Sequence, residues 1–154
     1  MKAIRKWFGI GLGGLILLAL LIQLVPYGHN HTNPPVVKEF NWASPAAKQV
    51  AQRACYDCHS NETVWPWYSS IAPISWMVTR HVDEGRQAFN FSDWKGAVRN
   101  EEGRVEEGTD DMVDAVRNSE MPPASYLLIH GNAHLTSTER QTLIAALEAV
   151  ALAR

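Results

Sequence analysis

Cysteine is scarce. The chain has two in 154 residues, Cys55 and Cys58, so one internal disulfide is the most it can form, and a disulfide scaffold is excluded. No stretch alternates apolar and polar residues over the length of a strand, which argues against a β-rich fold. No segment repeats, which excludes a solenoid. Basic charge is also thin beyond the start of the chain. Lys2, Arg5 and Lys6 precede Pro26, and after it 11 basic residues meet 16 acidic ones. An acidic exterior lacks the basic patch that nucleic-acid binding requires.

What is present first is a distinct N-terminal segment. Met1–Lys6 is basic and free of acid, and Trp7–Val25 runs 19 residues without a charge, Gln23 being its one strongly polar side chain. As a helix this run spans ~28 Å, close to the ~30 Å hydrocarbon core of a bilayer. The basic flank stays cytoplasmic and the C-terminal part is sent outward. No A-x-A-like cleavage site follows Leu24, so an uncleaved anchor is preferred to a signal peptide. The expected organisation is an anchor over residues 1–26, with residues 7–25 in the membrane, a linker over 27–43, and one domain over 44–154 on the periplasmic side of a bacterial cytoplasmic membrane. His29 and His31, in the polar linker, read as solvated side chains.

The chemistry concentrates in Cys55-Tyr56-Asp57-Cys58-His59, a C-x-x-C-H sequence. Residues i and i+3 share a face of a helical turn. Both thiols can therefore reach the vinyl groups of one haem while the adjacent His59 offers its imidazole to the iron. C-x-x-C also occurs in thioredoxin-like redox sites, zinc sites and structural disulfides. His130 and His134 have the spacing of a Cys2His2 pair but lie far beyond finger distance from Cys58. The histidine directly after Cys58, the export signal and the helical surroundings favour one covalent haem c. Three aromatics soon after, Trp65, Trp67 and Tyr68, supply apolar walls for a porphyrin.

Helix signals fill the remainder. Ser44-Pro45 joins an N-cap serine to a proline at the first helical position, opening a helix that runs through Val50, Ala51 and Ala54 into the motif. A second helix is expected from near Pro73, with Ile74, Met77, Val78, His81, Val82 and Gly85 on one inner face. Thr109 is a candidate N-cap for a third, with Met112, Val113 and Val116 inward and an end before Met121-Pro122-Pro123. Thr136-Ser137-Thr138-Glu139 is a capping box opening a last helix, striped by Leu143, Ile144, Leu147, Val150 and Ala151. The fold class is therefore all-α, a cytochrome c-like helical domain with long loops, preceded by one transmembrane helix.

The iron's second axial position has six candidates: Met77, Met112, Met121, His81, His130 and His134. Met121 is preferred because it sits between a helix and Pro-Pro, where a loop presents its side chain. Met77 and Met112 fall at core spacing, where methionine fills gaps. His81 is the rival. Methionine opposite histidine suits an electron carrier. An open position would instead suit a haem sensor or, with His81 or His130 as distal acid–base group, a peroxidase-type enzyme. The acidic stretch Glu101–Asp114 reads as a solvated face, or alternatively as a dock for a basic redox partner.

Asn33-Pro34-Pro35, the run Cys55-x-x-Cys58-His59-Ser60-Asn61-Glu62-Thr63, Trp65-Pro66-Trp67-Tyr68, Gly85-Arg86, Met121-Pro122-Pro123 and Tyr126…His130 together resemble the bacterial haem-binding domain family of small, membrane-anchored or secreted c-type cytochromes. The resemblance covers about Tyr27 to Ala151 and extends well past the bare haem motif. It implies one covalent haem c, a cytochrome c-like fold and His59 as an iron ligand, and its Met-Pro-Pro segment supports Met121. The expectation is a one-electron carrier rather than an enzyme.

Overall fold

The computed structural model describes residues 2–94, 98–99, 105–107 and 109–152. In chain order its elements are α1 (Lys2–Ile22), α2 (Pro45–Ala54), α3 (Tyr56–His59), α4 (Ile74–Ala88), β1 (Val98–Arg99), β2 (Val105–Glu107), α5 (Thr109–Arg117), α6 (Ala124–Leu127) and α7 (Ser137–Leu152), with 3-10 turns at Trp67–Ser70 and Gly131–Ala133. The fold is mostly helical, as the sequence predicts. The exception is a small antiparallel pair, β1 with β2, placing Val98 opposite Glu107 and Arg99 opposite Val105. The chain divides into two units: residues 1–32 with 64–83, and residues 33–63 with 84–154.

In the first unit, α1 is long and apolar enough to cross a membrane over Ile4–Ile22, with none of that span buried. Gln23 is not inside the helix but just beyond its end. Its side-chain Nε2 donates to the Ala72 carbonyl (3.0 Å), and its Oε1 accepts from the Ala72 N–H (2.9 Å). Gly28 has φ +81°, and a Cβ there would lie 2.9 Å from the Ser75 carbonyl carbon and oxygen. Only glycine fits such a backbone approach. His31 is half-buried rather than solvated: its ring stacks on Trp65 at 4.6 Å, and its Nε2 lies 3.0 Å from the Ser69 carbonyl.

The α4 stripe does not face inward throughout. Ile74 and Met77 are 43% and 52% exposed, and His81 is exposed. Val82 and Gly85 are buried as the spacing predicts, and Ser75, outside the stripe, is buried too. It is the Ser75–Trp76 main chain of this helix that meets Gly28. Ser75 Oγ, Trp76 Nε1 and Thr79 Oγ1 of α4 are buried without hydrogen-bond partners.

The second unit is built on α5 packed against α7, with α2 also on α7. Its core is Phe40, Val50, Ala51, Tyr56, Phe91, Met112, Val113, Val116, Leu143 and Leu147. The apolar positions read from α5 and α7 are thus placed as the helical period predicts, and Met112 is core filler. Ser44 Oγ accepts from the Ala47 N–H (3.1 Å), and Pro45 is the first helical residue. The capping box forms: the Glu139 N–H donates to Thr136 Oγ1 (3.2 Å), and the Thr136 N–H donates to Glu139 Oε2 (2.9 Å). Arg53 of α2 also holds that carboxylate, at 2.6 Å.

At the end of α5, Ser119 turns to φ +62°. The Ser119 N–H donates to the Val116 carbonyl, and the Glu120 and Met121 N–H groups both donate to the Ala115 carbonyl (2.9 and 3.1 Å). This is a Schellman closure, and it fixes the backbone of Met121. Arg140 of α7 also donates to the Val116 carbonyl. The capping role of Thr109, the side chains of Glu106, Glu107 and Ala151, and the acidic positions Glu101 and Glu102 lie outside what the structure describes.

Candidate functional site

The site begins where α2 stops. Cys55, at φ −129° and ψ −34°, breaks that helix and leads into the single turn of α3. The Cys55 carbonyl accepts from both the Cys58 N–H (3.2 Å) and the His59 N–H (2.9 Å). The i, i+3 helical relation between the cysteines is therefore present. The two are free thiols. Burial, then the neighbouring Cys58, pushes Cys55 up to about 12. Burial, then Asp57, pushes Cys58 up to about 11. Both are protonated at neutral pH, unlike the activated thiolates of redox C-x-x-C sites.

His59 is buried. Its Nδ1 lies 2.9 Å from the Gly85 carbonyl. A carbonyl only accepts, so Nδ1 carries the proton and Nε2 is left with a lone pair. The ring also stacks on Phe89, with centroids 4.0 Å apart and planes within 6°. Burial lowers the His59 pKa, opposed by its contacts with the Gly85 and Phe89 backbones. The result is a neutral imidazole in a fixed tautomer and orientation, the state in which histidine binds a metal.

Gly85 has a second task. A Cβ on it would stand 2.5 Å from the Cys58 carbonyl oxygen, so the last turn of α4 can lie against the cysteine turn only with glycine there. The next residue, Arg86, donates from Nε to the Ser60 carbonyl (2.8 Å) and from Nη2 to Asn33 Oδ1 and Thr63 Oγ1 (both 2.9 Å). Thr63 Oγ1 in turn donates to the Asp57 carbonyl (2.8 Å). Asn61 donates from Nδ2 to the Pro35 carbonyl (2.8 Å), accepts from Asn90 Nδ2 (2.7 Å), and gives its N–H to Ser92 Oγ (3.0 Å). Ser60, Asn61, Thr63 and Ser92 are all buried. A buried polar group is tolerable only when it is hydrogen-bonded. This network thus explains why the distinctive run continues past His59.

Residue spacing gave no role to Phe89, Arg86, Asn90 or the Gly85 carbonyl. The signals were the run of small polar residues after the motif, whose partners lie up to 31 positions away, and the Gly85-Arg86 pair in the family pattern.

Met121 is half-buried and belongs to the same unit as the motif. Tyr126 follows it closely; its hydroxyl donates to Asp57 Oδ2 at 2.7 Å. Its ring stacks on His130 at 3.8 Å and 11°, and His130 Nδ1 donates to the Tyr126 carbonyl (3.0 Å). His134 is exposed. His81, Met77, Trp65, Trp67 and Tyr68 lie in the first unit, where Trp67 is 78% exposed and meets Tyr68 edge-on at 5.9 Å. Among the described residues, no group of three or more His, Cys, Asp or Glu side chains gathers as a metal cage.

These residues fit a haem. A buried imidazole has its Nδ1 proton committed to a carbonyl, its Nε2 lone pair available and two neutral thiols on the same turn. A helical protein with this site is, by class, a haem-binding protein. The chain belongs to the Haem-binding domain family, whose model matches residues 17–149. No curated protein and no solved structure matches it.

Proposed function

We propose that this protein is a membrane-anchored, mono-haem c-type cytochrome that carries one electron on the periplasmic side of a bacterial cytoplasmic membrane. The observation that carries the reading is the His59 imidazole, fixed by Gly85 and Phe89, beside Cys55 and Cys58. The cysteines hold the porphyrin by thioethers, His59 binds iron through Nε2, and Met121 binds the opposite side. Trp65, Trp67 and Tyr68 help to exclude water. The haem supplies a one-electron couple, and a soft thioether ligand raises its potential. The protein makes no bonds in a substrate, and its partner is another redox protein.

One spectroscopic set tests this. The pyridine haemochrome is that of haem c. Ferric protein shows a sulfur-to-iron charge-transfer band, and Met121→Ala abolishes it and opens the ferrous iron to carbon monoxide. Rapid carbon monoxide binding by unaltered protein without that band overturns the carrier reading in favour of a haem sensor. Peroxide turnover that depends on His81 or His130 would assign an enzyme instead.

A further inference from the structure

Met121 stands in a loop, and a loop ligand holds iron only as firmly as the loop itself is held. Upstream, the Met121 N–H is tied to the Ala115 carbonyl by the closure of α5. Downstream, α6 supplies Tyr126, whose hydroxyl reaches Asp57 Oδ2 at 2.7 Å across 69 positions of sequence. Asp57 lies between the two cysteines, on the turn that also carries His59. A phenol O–H donating to a carboxylate is a short, charge-assisted bond. The Tyr126 ring is itself fixed, stacked on His130 at 3.8 Å while His130 Nδ1 donates to the Tyr126 carbonyl.

We propose that Tyr126 is a positioning residue: its hydroxyl, bonded to Asp57, ties the Met121 loop to the cysteine–histidine turn and so sets how firmly Met121 holds the iron. This rests on the reading of Met121 as the distal ligand. With the tie in place, the segment after Met121-Pro122-Pro123 is anchored to the turn bearing the proximal ligand, so Met121 rebinds before an outside ligand can enter. Without the tie, the direct link from this segment to the cysteine–histidine turn is lost, while the α5 closure and the packing of the Gly131–Ala133 turn on α2 remain.

The test is the rate at which imidazole displaces the methionine in the ferric full-length holoprotein, followed by loss of the sulfur-to-iron band. Tyr126→Phe keeps the ring and its stack and removes only the hydroxyl. Exchange is expected to accelerate roughly tenfold, the loss of one charge-assisted hydrogen bond, with the band itself still present at equilibrium. Asp57→Asn, which removes the charge, accelerates exchange less, and the double variant exchanges no faster than Tyr126→Phe alone. If Tyr126→Phe does not accumulate as holoprotein, Asp57→Asn carries the same test. Wild-type exchange rates in the variants overturn the inference, as do fully additive effects in the double variant, because the two groups would then act separately. A wild-type protein with no sulfur-to-iron band overturns the Met121 reading and this inference with it. A wild-type band combined with unaltered exchange overturns this inference alone.

Discussion

At the scale of single residues, Gly85 serves two ends that no other residue type can combine. Its carbonyl accepts the hydrogen bond from His59 Nδ1–H at 2.9 Å, and its missing side chain lets the Cys58 backbone approach. Any amino acid can offer a carbonyl, but only glycine can offer it from so close. Gly85→Ala is therefore expected to destabilise the protein by about 1–3 kcal/mol, the usual cost of forcing extra volume into a packed site, and to lower the haem bound per chain. Chemical denaturation and haem stoichiometry measure the two effects. Exposed Gln87→Ala, on the same turn of α4, is expected to stay within about 0.5 kcal/mol of wild type. The motif itself was legible because it is local, with three chemical groups in five consecutive positions. Gly85 and Arg86 stood out in the family pattern, but their roles and that of Phe89 were not legible, because each acts by meeting the motif, or the residues just after it, from a distant part of the chain.

At the scale of elements, the helices are set by their ends as much as by their stripes. α2 starts on Ser44, α7 on Thr136, and α5 stops on Ser119 in a left-handed conformation that serine adopts at a cost. Glu139 carries the most testable of these ends. Hydrogen bonds from the Thr136 backbone and hydroxyl, and then the charge of Arg53, hold its carboxyl below the ordinary value of 4.5. A carboxyl whose folded pKa is depressed adds stability above its unfolded value and loses it as pH falls through the folded value. The difference in thermal midpoint between wild type and Glu139→Gln is therefore expected to be full near neutrality, to shrink below pH 4.5, and to vanish in stronger acid. A difference that stays constant across that range would remove the charge from the account. α4 shows the opposite case, where a helical stripe misled in part. Periodicity finds apolar residues at the right interval, but it cannot find where a helix must lie against bare backbone. The Ser75–Trp76 main chain meets Gly28, Ser75 is buried, and Ile74 and Met77 are left outside.

At the scale of the whole molecule, α1 is apolar on all sides beyond its basic start at Lys2–Lys6, with no part of Ile4–Ile22 buried. A helix of that kind is stable when lipid surrounds it. The full chain is expected to remain with membranes through alkaline carbonate washes and to need detergent for release; recovery in the wash would sink the anchor reading. The mass of the mature protein reports cleavage. The sequence by itself determined the helical class, the apolar span, the N-caps Ser44 and Thr136 and the C-x-x-C-H turn, since each is written in neighbouring residues through helical period, cap chemistry or i, i+3 spacing. Only the tertiary structure decided which nitrogen of His59 carries its proton, what clamps the turn after it, and what ties the Met121 segment to Asp57. Those contacts join residues 26, 53 and 69 positions apart. A hydrogen bond across such a distance leaves no periodic trace in the chain, because it depends on where two backbones are brought together and not on what stands beside either partner in sequence.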